Sequence, residues 1–214
     1  MASKSGIVNF KQVTSDLDKI WKKAPRTVLD RTLSDVRKRA PSWIGQEVAA
    51  QYGIKKSEVG DGKTSKLKIE GNKLPDVTLK YSGRVLTPTH FNMTPKAPKP
   101  GGGSYTLKAS IFKGKRTTLG KVKKLTKKQR AALGKNFRKE GTQNSDHSPI
   151  MLMAPKGKYL PFHRKSTRRN DVDIIKTLSV PQMISSERVK PNIQKALDEK
   201  LGKRLDHHLK LLEK

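Results

Sequence analysis

A chain of 214 residues, 33% of them hydrophobic, is long enough for one domain of ordinary size, or a domain with an arm, around a modest core. Its 48 Lys and Arg against 18 Asp and Glu leave a net charge of +30, far more than solubility requires, and three partners fit such a field: nucleic acid, an anionic membrane, or acidic protein surfaces. The absence of cysteine excludes disulfides, thiolate metal sites and cysteine nucleophiles, and no stretch approaches the roughly 20 apolar residues that span a bilayer.

The opening residues, Met1 to Phe10, lack the apolar centre of a secretory signal, and a cysteine-free chain fits a reducing cytoplasm during synthesis. The first third reads as helical. Phe10, Val13, Leu17, Ile20 and Trp21 recur at steps of three and four, one face of an amphipathic helix, before Ala24-Pro25 interrupts it. Val28, Leu29, Leu33 and Val36 continue the period in a second helix that Pro41 should end. Ser42 then caps a third, short helix carrying Trp43, Ile44, Val48 and Tyr52, ended by Gly53.

From Lys66 the pattern changes to alternation. Leu67 and Ile69, then Val77, Leu79 and Tyr81, sit at period two, with Gly71-Asn72 and Ser82-Gly83 as turns. Pro75, Pro88 and Pro95 limit the strands, predicting a small antiparallel sheet with irregular edges. The proline- and then glycine-rich stretch from Pro95 to Ser104 reads as a flexible excursion between strands. Strands around Tyr105–Phe112 and Thr117–Val122 lead into the most basic part of the chain, and Thr126 can cap a short helix carrying Ala131, Ala132 and Leu133. Ile150–Met153 and Lys158–Phe162 form a hairpin around Pro155-Lys156-Gly157, and Ile174, Ile175 and Leu178 precede Val180-Pro181. A long final helix, with Pro191 in its first turn, carries Ile193, Leu197, Leu201, Leu205, Leu209 and Leu212 on one stripe that serves as interface or core. The expected fold class is therefore α+β in a single domain. It comprises a helical region 1–56, a β-rich region 64–178 with a flexible 95–104 loop and a basic 113–139 loop, and a C-terminal helix 181–214.

Enzyme signatures fail on spacing. Gly62-Lys63-Thr64 ends like a phosphate-binding loop, but Ser57 stands where the earlier glycine is required. Of the five histidines, His90, His147, His163, His207 and His208, the adjacent pair in the last helix cannot form a two-histidine metal face, and His163 lies beside Arg164 and Lys165, which repel a cation. Asp16 and Asp18 read as partners of a helix dipole, and Asp171 and Asp173, among Arg168, Arg169 and Lys176, as charge-balancing groups. No nucleophile has a convincing base, so the expectation is a protein that is not an enzyme, without cofactor or metal.

The basic tracts remain. Between Lys113 and Lys139 there are twelve Lys and Arg and no acidic residue. Lys121, Lys123, Lys124, Lys127, Lys128, Arg130, Lys135 and Arg138 form a tract suited to neutralising phosphates or packing on acidic neighbours, and nothing in it reads a base sequence. No aromatic is interleaved from Lys113 to Lys135, which argues against stacking on single strands.

The run from Pro149 to Lys214 resembles the end of the lambda-type minor tail protein Z family of long-tailed bacteriophages. In order, it carries a strand (Ile150–Met153), a Lys156-Gly157-Lys158 turn, a strand ending in a basic segment (Tyr159–Arg164), Asp173-Ile174-Ile175-Lys176, Val180-Pro181, and a terminal amphipathic helix (Val189–Lys214). The front half agrees in kind, with an amphipathic helix pair and a glycine run at Gly101–Gly103. The resemblance implies a tail-completion or neck protein of the virion, made in the host cytoplasm. It would form a homo-oligomeric ring around the DNA channel beside tail terminator, tail tube and head-tail connector proteins, with contact to genomic double-stranded DNA and none to a membrane. It implies no catalytic residues. The extra basic segment at Lys121–Lys139 departs from the family, so its role is not inherited. Composition alone favours another class, a stand-alone nucleic-acid-binding protein associated with the nucleoid or ribosome. No helix-turn-helix punctuation or aromatic RNA-binding signature accompanies it.

Overall fold

The computed structural model of the protein describes residues 4–9, 23–59, 64–71, 77–98, 103–122, 149–154, 157–164 and 172–212. The helix expected from Phe10 to Trp21 and the short helix after Thr126 lie outside them. The fold is α+β, with helices, small antiparallel sheets and a long C-terminal helix.

Residues Lys4–Asn9 form a strand, β1, where the sequence reading placed none. The break at Ala24-Pro25 is real: Pro25 precedes helix α1 (Arg26–Gln51), and its carbonyl accepts from the amides of Val28 and Leu29 at 3.0 and 3.2 Å. The expected end at Pro41 is corrected, because Pro41 lies inside that one 26-residue helix and Ser42 caps nothing. A proline in a helix interior costs about 3 kcal/mol. The apolar stripe crosses the proline without a break, with Val28, Val36, Ala40, Ile44 and Val48 all 0% exposed. Each large side chain so buried returns roughly 1.5–3 kcal/mol, so burial outweighs the lost hydrogen bond.

Strands β2 (Ser65–Glu70) and β3 (Thr78–Gly83) follow, and β1 and β2 both pair antiparallel with the central β3. Leu79 and Tyr81 point from β3 into the core at 0% exposure, the alternation read from the sequence. On the other side, register sets Lys68 opposite Lys80, a like-charge pair that Glu70 bridges at 2.9 and 2.5 Å. Hydrogen bonds from Lys80 and then Lys68 hold the Glu70 carboxyl below its ordinary value. A carboxylate shifted this way supports the fold above its usual titration range and loses that support as pH falls through the lowered value. Its carbon-13 titration midpoint is expected to lie below that of an ordinary glutamate and to rise in Lys80→Ala. The Tyr81 hydroxyl is buried with no hydrogen-bond partner among the described residues, and burial pushes the phenol well above its usual range. Because an unpaired buried hydroxyl costs roughly 1–3 kcal/mol, Tyr81→Phe is expected to stabilise the protein by about 1 kcal/mol in urea unfolding.

Beyond β3 come strands β4 (Tyr105–Phe112), β5 (Lys115–Val122), β6 (Ile150–Met153), β7 (Tyr159–Arg164) and β8 (Val172–Ile174). They form two further sheets, β4-β5 and β6-β7-β8, in place of one small sheet. The β6–β7 hairpin falls where the sequence placed it. A short helix, α2 (Val180–Ile184), stands where the sequence pattern marks only Val180-Pro181. Its signal is a capping box: Ser179 Oγ accepts from the Gln182 amide, and the Ser179 amide donates to Gln182 Oε1 at 3.0 Å. The last helix, α3 (Lys190–Lys210), starts with Pro191 in its first turn as expected. It packs antiparallel on α1, with Lys200 Nζ donating to Gln46 and His208 and Arg204 meeting Asp35 at 3.2 and 3.6 Å.

The regions read along the sequence and the units of the fold do not coincide. One unit joins Met1–Leu86 to Leu178–Lys214, and the other is Thr87–Thr177. The Leu86 amide donates to the Leu178 carbonyl at 3.2 Å, so the chain leaves the first unit and re-enters it at one place. The first unit's core is the α1–α3 interface, α2 and the inner side of β3. The second has a smaller core of its own around Phe91, Met93, Tyr105 and Leu107. No described helix is long and apolar enough to cross a membrane.

Candidate nucleic-acid interface

Charge is divided unequally between the units. Residues 87–177 carry 22 Lys and Arg against four Asp and Glu, a net +18. From Val77 to Lys139 no acidic residue occurs, while 17 Lys and Arg do. Within that stretch the structure describes β3, the 3-10 turn Pro88–Phe91 and the β4–β5 hairpin, and the hairpin is the part that lies in the second unit's basic run.

The sequence of β4 alternates, and its burial follows: Tyr105, Leu107 and Ala109 are buried while Thr106 and Lys108 are exposed. The buried side packs on the 3-10 turn Pro88–Phe91, and Thr94 and Lys108 exchange two backbone hydrogen bonds of 2.8 and 2.9 Å, which pins the strand. Across the ribbon Thr106 pairs with Lys121 and Lys108 with Thr118, all four exposed, and exposed Arg116 follows Thr118 at period two. The two-residue turn adds Lys113, with Gly114 at φ +76, and Lys115 follows it. Lys108, Lys113, Lys115, Arg116 and Lys121 have no ion-pair partner among the described residues.

Lys121 joins this side because of a bulge. Thr118 and Lys121 are three residues apart and would ordinarily point to opposite sides of a strand. The register shift between Leu107 and Lys108 inserts one extra residue in β5, and Gly120 absorbs it at φ +141. A Cβ at Gly120 would sit 2.7 Å from Pro149 Cδ, at the entrance to β6. Gly120→Ala is therefore both strained and overpacked, and is expected to lower stability by about 2–3 kcal/mol in chemical unfolding of the second unit.

Of the tract proposed from sequence, Lys121 stands on this exposed side; Lys123, Lys124, Lys127, Lys128, Arg130, Lys135 and Arg138 lie outside the described residues. The 113–139 stretch is not all loop, since its first ten residues are the turn and second strand of the hairpin. The sequence reading missed Lys108, whose signal was available in the strict Tyr-Thr-Leu-Lys-Ala alternation that puts it on the solvent side. In the helix stripe, Ile193, Leu197, Leu201 and Leu205 are buried against α1, whereas Leu209 is half-buried and Leu212 is 47% exposed beyond the helix end.

The Thr64 hydroxyl is buried and donates to the Glu58 carbonyl. His207 and His208 meet edge to face at 5.4 Å, with His208 turned to Asp35 and His207 exposed. Among the described residues no group of three or more His, Asp or Glu side chains could hold a metal ion. Comparison with protein-family models, curated protein sequences and solved structures finds no match for this chain.

Proposed function

We propose that this chain is a non-enzymatic structural protein of a long-tailed phage virion, forming part of a ring that completes the head-proximal end of the tail around the DNA channel. The observation that carries the reading is the order of motifs from Pro149 to Lys214: strand, Lys-Gly turn, basic-ended strand, acidic-hydrophobic segment, Val-Pro and amphipathic helix. These correspond to β6, the turn at Gly157, β7, β8, α2 and α3, each a separate element. The concentration of charge in residues 87–177 supports a channel-facing role, because a ring that encloses DNA needs cations on one part of each subunit. A modest core also suits a subunit that gains stability on assembly.

The test is molar mass by multi-angle light scattering at 50 mM and 1 M salt, with and without a duplex. A discrete oligomer that persists at high salt is the expected result. A monomer at all protein concentrations, gaining mass only with DNA and losing it as salt rises, would instead favour a stand-alone nucleic-acid-binding protein, the reading that net charge alone supports.

A further inference from the structure

We infer that the β4–β5 hairpin is a phosphate-gripping ribbon for double-stranded DNA, holding the duplex by its backbone without reading its sequence. The inference rests on the DNA-channel reading and goes beyond it by assigning the contact to one element and to the duplex rather than to acidic protein.

Three observations carry it. First, Lys108, Arg116 and Lys121 share the solvent side of the hairpin with Lys113 and Lys115 at its tip, and none has an ion-pair partner among the described residues. Cations left unpaired in a stretch with no acidic residue present an uncompensated positive field. Second, the hydroxyls of Thr106 and Thr118 alternate with them in cross-strand pairs, and Lys, Arg and Thr are side chains that bond phosphate oxygens. The diagonal Lys108–Lys121 spacing is roughly 7–8 Å by antiparallel geometry. Two strands lie about 4.8 Å apart, narrow enough to enter a major groove roughly 12 Å wide. Third, the bulge at Gly120 brings Lys121 round to the side of Lys108, so local backbone geometry collects the charge rather than scattering it.

The same side argues against the alternatives. Protein interfaces concentrate aromatics at their centre and are depleted in Lys, yet of the two aromatics in these strands Tyr105 is buried and Phe112, at the tip, is only half-exposed. Single-strand binding needs a run of exposed stacking platforms, and one half-exposed ring does not make one. Neither strand contains Asn or Gln, the adenine readers, and β4 and β5 hold a single Arg, so the forked side chains that read base edges most specifically are scarce there.

The experiment uses the full chain and a fluorescein-labelled 30-base-pair duplex, with anisotropy followed from 50 to 300 mM KCl. The wild type is expected to bind with a steep salt slope. Lys108→Gln, Arg116→Gln and Lys121→Gln combined should flatten that slope by about 2–3, roughly 10²- to 10³-fold in affinity near 0.1 M salt. Lys108→Arg with Lys121→Arg should keep it. A control triple on exposed positions of α3, Lys190→Gln, Lys195→Gln and Lys203→Gln, removes equal charge and should leave the slope unchanged. Circular dichroism of each variant checks that the fold is retained. Wild-type binding that the hairpin triple leaves untouched would overturn the assignment while sparing the DNA-channel reading, as would equal losses from both triples, which reflect net charge alone. Binding to polyglutamate but not to the duplex would overturn it in favour of an acidic protein partner, and binding to neither would overturn it outright. The ring reading is decided separately by molar mass.

Discussion

Leu201→Asp should leave the first unit unfolded. Leu201 is 0% exposed at the centre of α3, between Leu197 and Leu205 and facing the Val36–Ile44 stretch of α1. Truncation to alanine there should cost about 2–5 kcal/mol, from lost transfer energy and the cavity left behind. A carboxylate at the same place costs more, because it must either be desolvated or take a proton. Domains of this size hold a net stability of about 5–15 kcal/mol, so the aspartate removes most of it. The matching control is Leu211→Asp, at a position 47% exposed past the helix end, with an expected change within about 0.5 kcal/mol. Denaturant midpoints of the two variants measure the contrast. Equal midpoints would mean that the α1–α3 interface is not the structural core.

Charge reversal of the basic tract is expected to have the largest functional effect. Lys123, Lys124, Lys127 and Lys128, changed together to glutamate, remove four positive charges and add four negative ones directly after Lys121. If each lysine neutralises one phosphate, the salt slope of duplex binding falls by about 3–4, and the new carboxylates repel DNA besides. On the proposed tail-completion reading, joined and infectious particles in a phage complementation assay should fall by orders of magnitude while the variant stays folded. Normal infectivity from a folded variant would remove the tract from the function.

What the sequence made legible follows the strength of each local signal. The stripe of α3, the alternation of β3 and β4, and the Lys-Gly turn between β6 and β7 each repeat one period over enough residues to decide the element. Pro41 misled because the local penalty of proline is visible in one residue, whereas the burial that overrides it is summed over a whole helix and its partner. β1 was missed for a related reason. Ser5, Gly6 and Asn9 are poor strand formers, and the segment is extended because it pairs with β3, about seventy residues away. The unequal division of charge could be counted from residue types. The placement of Lys121 beside Lys108 could not, because it depends on one extra residue in β5 and on the φ of Gly120.

The hydrogen bond between Leu86 and Leu178 has a consequence for the order in which the protein is made. Residues 87–177 are contiguous and emerge from the ribosome with every strand of their own sheets already present. The unit around them cannot close at that point, since α1 waits for α3, which is synthesised about 140 residues after it. The cationic insert is thus positioned to mature first, while the apolar stripe of α1 stays uncovered until translation is nearly over. A released chain truncated near residue 185 should therefore resist protease in the described strands of the insert but not in α1. Such a chain would carry its concentrated positive charge on a body not yet folded, and chaperone capture of α1 during synthesis would be the corresponding need.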